Sequence, residues 1–481
     1  MTLQRIYDWA RTQPGKPALI FNDMAVSYAD FARLIERTAA MLSAHGLPRG
    51  GTAAVLIDNL ADGWVMLMAL RRLGLTTISA IAYDRLASLR VPDLSAIVTT
   101  SAEAPRHAIP DTLFPGVPRF VVTAEITHIA GMPIPPPLAG APPGGHVIYT
   151  SGTTSRFKQV LVDGPAEAAS VTRVAALAGI TPATLHHGID LGVRTAGGYR
   201  VPLAVWHQGG TVLFDQRPDR FQRFFSHPVT QAYLPAEWVR ALVEAHPRAT
   251  PRPGFRLVFT SGFLSPALAA EVAARFFSAR IAVTYAATEF SARPMSSIVT
   301  GPEDLHWLIP SPGRVIEIVD GREHLCPPGV EGALRVRHEA GDATSYLGDP
   351  EASASAFRDG CFYPGDQAVA RADGRIRILG RLSDMLNLDG RKVPATLPEQ
   401  ELQRKLGLEG TEICLFSGLA YDGEEELVVA VETNGRADLD AIAEAARELL
   451  RRSRVRVVRL AEFPRTETRK IRRAALREAV F

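Results

Sequence analysis

Between Thr52 and Tyr285, short apolar runs rich in Val, Ile and Thr alternate with helix-length stretches. That alternation restricts the chain to a parallel α/β architecture, because parallel strands need a long crossover between them. Strands are expected in TAAVLID from Thr52, TTISAIA from Thr76, SAIVTT from Ser95, RFVVTA from Arg119 and HVIYTS from His146. TVLF from Thr211, RLVFTS from Arg256 and IAVTY from Ile281 complete the set. Helices are expected over 62–73, 165–178, 235–245 and 266–277. After about Arg314 the texture changes to VIEIVDG, ALRVRH and QAVARADGRIRILG, whose Ala372-Asp373-Gly374 reads as a hairpin turn. These short strands predict a small barrel-like β subdomain within the large N-terminal part. Beyond Gly380 the pattern is mixed α+β, with strands at TEICLFSG, ELVVAVET and VRVVRL and a helix over 439–451. A separate C-terminal domain of about 100 residues suits that length.

No apolar run approaches the roughly 20 residues that span a bilayer, and MTLQRIYDWARTQPGK lacks the apolar centre of a secretory signal. A cytoplasmic protein without a membrane span is the expectation. Three scattered cysteines (Cys326, Cys361, Cys414) give neither a disulfide framework nor a zinc site. A net charge of +2 gives no pull toward nucleic acid. Locally, residues 451–481 hold 11 Lys/Arg against 3 Asp/Glu. A solvated basic face accounts for that run, and so does a landing site for a phosphorylated thiol carrier. Of 53 basic residues only five are lysine (Lys16, Lys158, Lys392, Lys405 and Lys470), so each raises the question of a specific need for a compact ammonium.

The strongest local signal is YTSGTTSRFKQV from Tyr149. A strand runs into a loop of small hydroxyl residues around Gly152, where backbone N–H and side-chain O–H groups can converge on phosphate oxygens and Lys158 can add a point charge. A polar strand-to-helix turn has the same composition. No Walker A loop, GxxxxGK[ST], occurs in the chain, which counts against an ordinary phosphotransferase.

This string resembles the phosphate loop, Y-T-S-G-T-T-G-x-P-K-G, of the acyl-adenylate-forming superfamily of acyl-CoA synthetases, adenylation domains and luciferase. Ser155, Phe157 and Gln159 replace its Gly, Pro and Gly. TYAATE, from Thr284, resembles Y-G-x-T-E with Ala286 for glycine; FYPGD, from Phe362, resembles Y-R-T-G-D. GRLSDMLNLDGRKVPATLPEQE, from Gly380, is similar to the family's G-R-x-D-D segment with Ser383 for its first aspartate. PRTETRKIRR, from Pro464, resembles P-x-T-x-x-G-K-I-x-R with Arg469 for glycine. VSYADF, FTSGFLS and SYLGDPEASASAF are weaker echoes, and together they cover essentially the whole chain.

The resemblance implies ATP and Mg²⁺ as cofactors and a small carboxylic acid as substrate. It implies CoA, or the phosphopantetheine of an acyl carrier protein, as thiol acceptor, in a monomer or homodimer. Thr150, Ser151, Gly152, Thr153, Thr154, Lys158, Tyr285, Thr288, Asp366 and Arg381 would bind ATP or AMP. Glu289 would hold Mg²⁺, Asp366 the ribose hydroxyls, and Lys470, Thr288 and Glu289 would be catalytic. Arg194, Gly197, Ser261, Gly262, Phe263 and Ala286 would line the acyl pocket. Ser383, Asp384 and Gly390 would form the hinge and thiol tunnel. The implied division is 1–380 for adenylation, 381–384 for the hinge and 385–481 for a mobile C-terminal domain. Ala196 stands where amino-acid-activating relatives carry an aspartate, which favours an acyl or aryl acid. The altered loop keeps a second reading open: a nucleotide- or adenylate-binding module of the same fold with weakened turnover.

Overall fold

The computed structural model describes residues 2–47, 50–89, 91–106, 113–122, 133, 135–136, 143–150, 157–260, 264–388, 391–408, 411–419, 425–433, 438–451, 454–465 and 471–480. Its first sheet runs Arg119–Val122, Leu94–Thr100, Thr52–Val55, Thr76–Ser79, His146–Thr150 and Lys158–Val162. All neighbours are parallel except the last pair, which is antiparallel. A second sheet of nine strands has a parallel centre built from Arg280–Tyr285, Arg256–Phe259, Gln231–Leu234, Leu185–Ile189, Thr211–Phe214 and Pro17–Phe21. Antiparallel strands finish both of its edges. A third, antiparallel sheet gathers the strands from Ile316 to Arg381 around Glu331–Arg337. The turn expected at 372–374 joins Asp366–Ala370 to Ile376–Arg381.

Helix Leu60–Arg72 shows why the two parallel sheets stay together. Its centre, WVMLMAL, is apolar on every side, and a helix apolar all round must be buried all round. It packs beside Tyr28–Ala44, and its Trp64 meets Tyr199 (5.8 Å) and Trp206 (4.7 Å) of helix Ala196–His207. At its C-terminal end Arg71, 1% exposed, pairs with Glu167 at 2.6 Å, and Tyr199 donates to the same carboxylate. His146 lies on this network with Nε2 against the Val193 carbonyl and Nδ1 against the Thr77 hydroxyl, each at 2.9 Å. Those two partners suit a neutral ring that donates from Nε2 and accepts at Nδ1.

Burial lowers the pKa of His146, His186 and His187 to about 3 in each case. Unfolded imidazoles take up protons near the ordinary 6.5. The stability these rings carry is therefore complete above that pH and lost as pH falls toward 3. At pH 5 each ring costs on the order of 2 kcal/mol. Asp62, pushed up to about 6 by burial beside Glu103, works the other way, as do the burial-raised carboxyls of Asp190 and Glu412, while burial also lowers His207, His246, His306 and His338. The urea midpoint, followed by tryptophan fluorescence, is expected to fall steadily from pH 7 to pH 5. A flat profile would contradict three neutral buried rings.

Past Arg381 a short hairpin (Met385–Leu388 with Arg391–Pro394) precedes a three-stranded sheet of Ile413–Leu419, Glu425–Glu432 and Val455–Leu460. Two apolar clusters there, one around Leu402 and Val429 and one around Cys414 and Phe463, contain only residues after 385. No helix among the described residues is long and apolar enough to cross a membrane.

Candidate active site

Ligands of parallel α/β sheets lie beyond the carboxyl ends of the strands, where the loops emerge. Two of the sequence motifs emerge there. Strand His146–Thr150 leads into 151–157, and strand Arg280–Tyr285 leads into 286–289. The first loop does not lead to a helix, as a polar strand-to-helix turn would. It closes a hairpin, with Thr150 opposite Lys158 in register. Ser151, Gly152, Thr153 and Thr154 lie outside the described residues, as do Ser261, Gly262, Phe263, Gly390 and Lys470.

Of the residues that depart from the family's loop, Ser155 lies outside the described residues, while Phe157 and Gln159 have visible roles. The Phe157 ring meets Tyr149 edge-on at 5.7 Å and lies under the Arg85 guanidinium at 4.5 Å. The buried Gln159 donates its amide to the Leu89 carbonyl. Both side chains tie the C-terminal end of the loop to the segment around helix Tyr83–Leu89.

Lys158 places its ammonium 4.8 Å from the centre of the Tyr346 ring. The Tyr346 hydroxyl donates to Glu289 Oε1 at 2.5 Å, and burial beside that carboxylate drives the phenol's pKa well up. One aromatic side chain thus joins the loop lysine to the carboxylate of the TYAATE motif. Tyr346 is the functional candidate that sequence reasoning passed over. Its signal was present in SYLGDPEASASAF, but a tyrosine next to a Gly-Asp-Pro turn reads as packing.

The second half of the site is built on Asp366, 4% exposed at the start of its strand. It receives the Tyr285 hydroxyl on one oxygen and Arg381 Nε at 3.0 Å on the other. Burial, with the carboxylate beside it, pushes the Tyr285 phenol well above its ordinary range. Arg381 also donates to the Pro364 carbonyl at 2.6 Å. The pairing register, Asp366 opposite Arg381, places acid and base side by side.

Thr288 is half-buried, and its carbonyl accepts from Arg200 Nη1 at 2.9 Å. Gly197 stands in the first turn of helix Ala196–His207, and a Cβ there would meet open space. Ala286 is exposed, and Arg194 is half-buried just before that helix. Ser383 donates to Asp384 at 3.0 Å. Arg473 bridges Asp384 (3.4 Å) and Glu399 (2.5 Å), while Ala395 N–H holds the Asp384 carbonyl at 3.1 Å. Much of the basic C-terminal run is engaged internally in the same way, Arg456 with Glu426 and Arg465 with Glu432.

Among the described residues no three His, Cys, Asp or Glu side chains converge as a metal cage. A single buried carboxylate such as Glu289 nevertheless suits Mg²⁺, which binds proteins through one or two carboxylates and completes its shell with phosphate oxygens and water.

A family model described as AMP-binding enzyme matches residues 6–98 and 145–347. The chain is 25% identical over 500 residues to a 4-chlorobenzoate–CoA ligase of Arthrobacter sp, covering 98% of this chain and 93% of that one. It is also 25% identical over 458 residues to the phenyloxazoline synthase MbtB of Mycolicibacterium paratuberculosis, covering 89% of this chain but 37% of that protein. In fold it is similar to the O-succinylbenzoate Coenzyme A synthetase (MenE) of Bacillus subtilis, solved with ATP and magnesium ion. That likeness has a TM-score of 0.82 at 19% identity, over 98% of this chain and 99% of that one.

Proposed function

We propose, since this chain belongs to the AMP-binding enzyme family, that it activates a carboxylic acid as its acyl adenylate with ATP and passes the acyl group to a thiol. The observation that carries this reading is one convergence. Lys158, Tyr346 and Glu289 touch in a line, and Tyr285, Asp366 and Arg381 touch in another, from segments up to about 200 residues apart.

In the first step a carboxylate oxygen of the substrate bonds to the α-phosphorus, the bond to the β-phosphate oxygen breaks, and pyrophosphate leaves. Two anions must approach while charge moves onto the leaving group, so fixed positive groups dominate the rate effect. Lys158 and the hydroxyl loop would hold the leaving phosphates, and Lys470 would meet the charge at the α-phosphate. Mg²⁺ on Glu289, when bound, neutralises phosphate oxygens. Asp366 would accept from the ribose hydroxyls, and Arg381 holds that carboxylate in place. In the second step the thiol loses its proton, its sulfur bonds to the acyl carbon, and AMP leaves. Between the steps the segment 385–481 would turn about 381–384. The apolar clusters made only of residues after 385 support a unit that moves as one body.

The relative named above that acts on a chlorinated benzoate supports an aryl acid with CoA as acceptor. A second reading, a binding module with little turnover, draws on Phe157 and Gln159, which anchor the loop end where the family has proline and glycine. Pyrophosphate release on a panel of benzoates, arylacetates and short acyl acids, with and without CoA, decides between them. Acid-dependent release rising with CoA is expected for one aryl acid at least. Release that CoA does not extend to a thioester would indicate a carrier protein as acceptor. No release with any acid would favour the module.

A further inference from the structure

Glu289 is held at three points. The planar peptide on its N-terminal side is fixed by Arg200 Nη1 on the Thr288 carbonyl (2.9 Å), and the one on its C-terminal side by Ala343 N–H on the Glu289 carbonyl (2.8 Å). With a carbonyl tied on each side, φ and ψ of Glu289 are restricted, and the Tyr346 hydroxyl then orients the carboxylate at 2.5 Å. Beyond it the turn is tied again. Ser291 gives its N–H and hydroxyl to Asp342 (2.8 and 2.7 Å), and the Ser291 carbonyl accepts from Ser170 at 2.5 Å.

Arg200 stands out among these holds. It is 5% exposed, and among the described residues its buried Nε has no hydrogen-bond partner. An unpaired donor in such a place costs about 1–3 kcal/mol, and an apolar side chain would fill the space without that cost. Its charge is not needed to neutralise Asp342. That carboxylate already takes Arg314 at 2.5 Å, the Glu339 N–H at 3.0 Å and both groups of Ser291. What remains specific to Arg200 is the Thr288 carbonyl, reached from the helix whose first turn carries Gly197, and the field its charge places on Glu289.

We propose that Arg200 is a positioning residue for Glu289, fixing the peptide that aims this carboxylate at the metal–nucleotide complex. The proposal rests on the function proposed above. A partner one shell behind a metal ligand is worth about 10–100-fold in metal affinity when lost. It acts on the metal-dependent part of nucleotide binding and not on the nucleoside, which Asp366 would hold.

The test is calorimetric titration of the full chain with ATP, in EDTA and in saturating Mg²⁺, without any acid, so that no turnover enters. The quantity read is the ratio of the two affinities, together with the affinity for AMP. Arg200→Met is expected to lower the ratio about tenfold with AMP affinity unchanged. Arg200→Lys keeps the charge near Glu289, so the field there is retained, but its shorter reach is expected to lower the ratio about threefold. A folded variant of either kind with the wild-type ratio overturns the proposal, as does equal loss of ATP and AMP binding. If the wild-type protein itself binds ATP no better with Mg²⁺, the functional reading fails instead.

Discussion

Lys470→Ala is expected to lower acid-dependent pyrophosphate release by about 10²–10³-fold, the usual loss when one fixed group facing transition-state charge is removed. Thioester formation from supplied acyl-AMP should stay within about twofold of wild type. The asymmetry follows from the charge balance of the two steps. Adenylation forces a carboxylate onto a polyanion, so a compact cation at the α-phosphate acts mainly in the transition state. In thioester formation the leaving group is AMP, already bound through its ribose, and the C-terminal segment would have turned away. Lys470 itself lies outside the described residues, and the nearest described anchor on its C-terminal side is Arg473. Arg473, three residues on, is clamped between Asp384 and Glu399, beside the proposed pivot. Lys405, which pairs with Glu448 on the surface, is the control, and its alanine variant should change neither step. Equal loss of both half-reactions in Lys470→Ala would remove the two-state account.

The eight parallel strands that were expected are short β-branched runs ended by turns, and Thr52, Thr76, His146, Thr211 and Arg256 all begin strands, whereas the parallel strands Pro17–Phe21, Leu185–Ile189 and Gln231–Leu234 were not read. Helix Ala196–His207 was not legible. AGGYRVPLAVWH carries two glycines and Pro202, which act as breakers when propensity alone decides. Here the Thr195 cap and complete burial of Tyr199 and Trp206 override propensity. Strand Lys158–Val162 was hidden for the opposite reason, since KQVLV follows a phosphate-type loop and reads as its continuation. The individual site residues could be read from motifs, but their partners could not. Tyr346 reaches Glu289 across 57 residues, and Arg200 reaches Thr288 across 88. In a chain that uses arginine for 48 of its 53 basic residues, nothing local marks Arg200 as different from a surface charge.

Asp366→Asn should be the counterpart of Lys470→Ala, impairing both half-reactions together. The nucleoside is present in ATP and in acyl-AMP alike, so a group that holds the ribose contributes to each step. Hydrogen bonds to a charged acceptor are worth about 1.5–3 kcal/mol each. The amide keeps one acceptor oxygen, but its NH₂ faces a hydroxyl or Arg381 with a donor. A fall of about 10²-fold in kcat/KM is expected for adenylation and for thioester formation, with a matching loss of AMP affinity. Stability should change little. Arg381 is 48% exposed at its side chain and keeps the Pro364 carbonyl, and the amide oxygen still accepts from Tyr285, which limits the cost of the lost ion pair. Paired measurement separates the two residues cleanly. A selective loss of adenylation in Asp366→Asn would mean that its carboxylate serves the leaving phosphates and not the ribose. The contact with Tyr285 would then need a different reading.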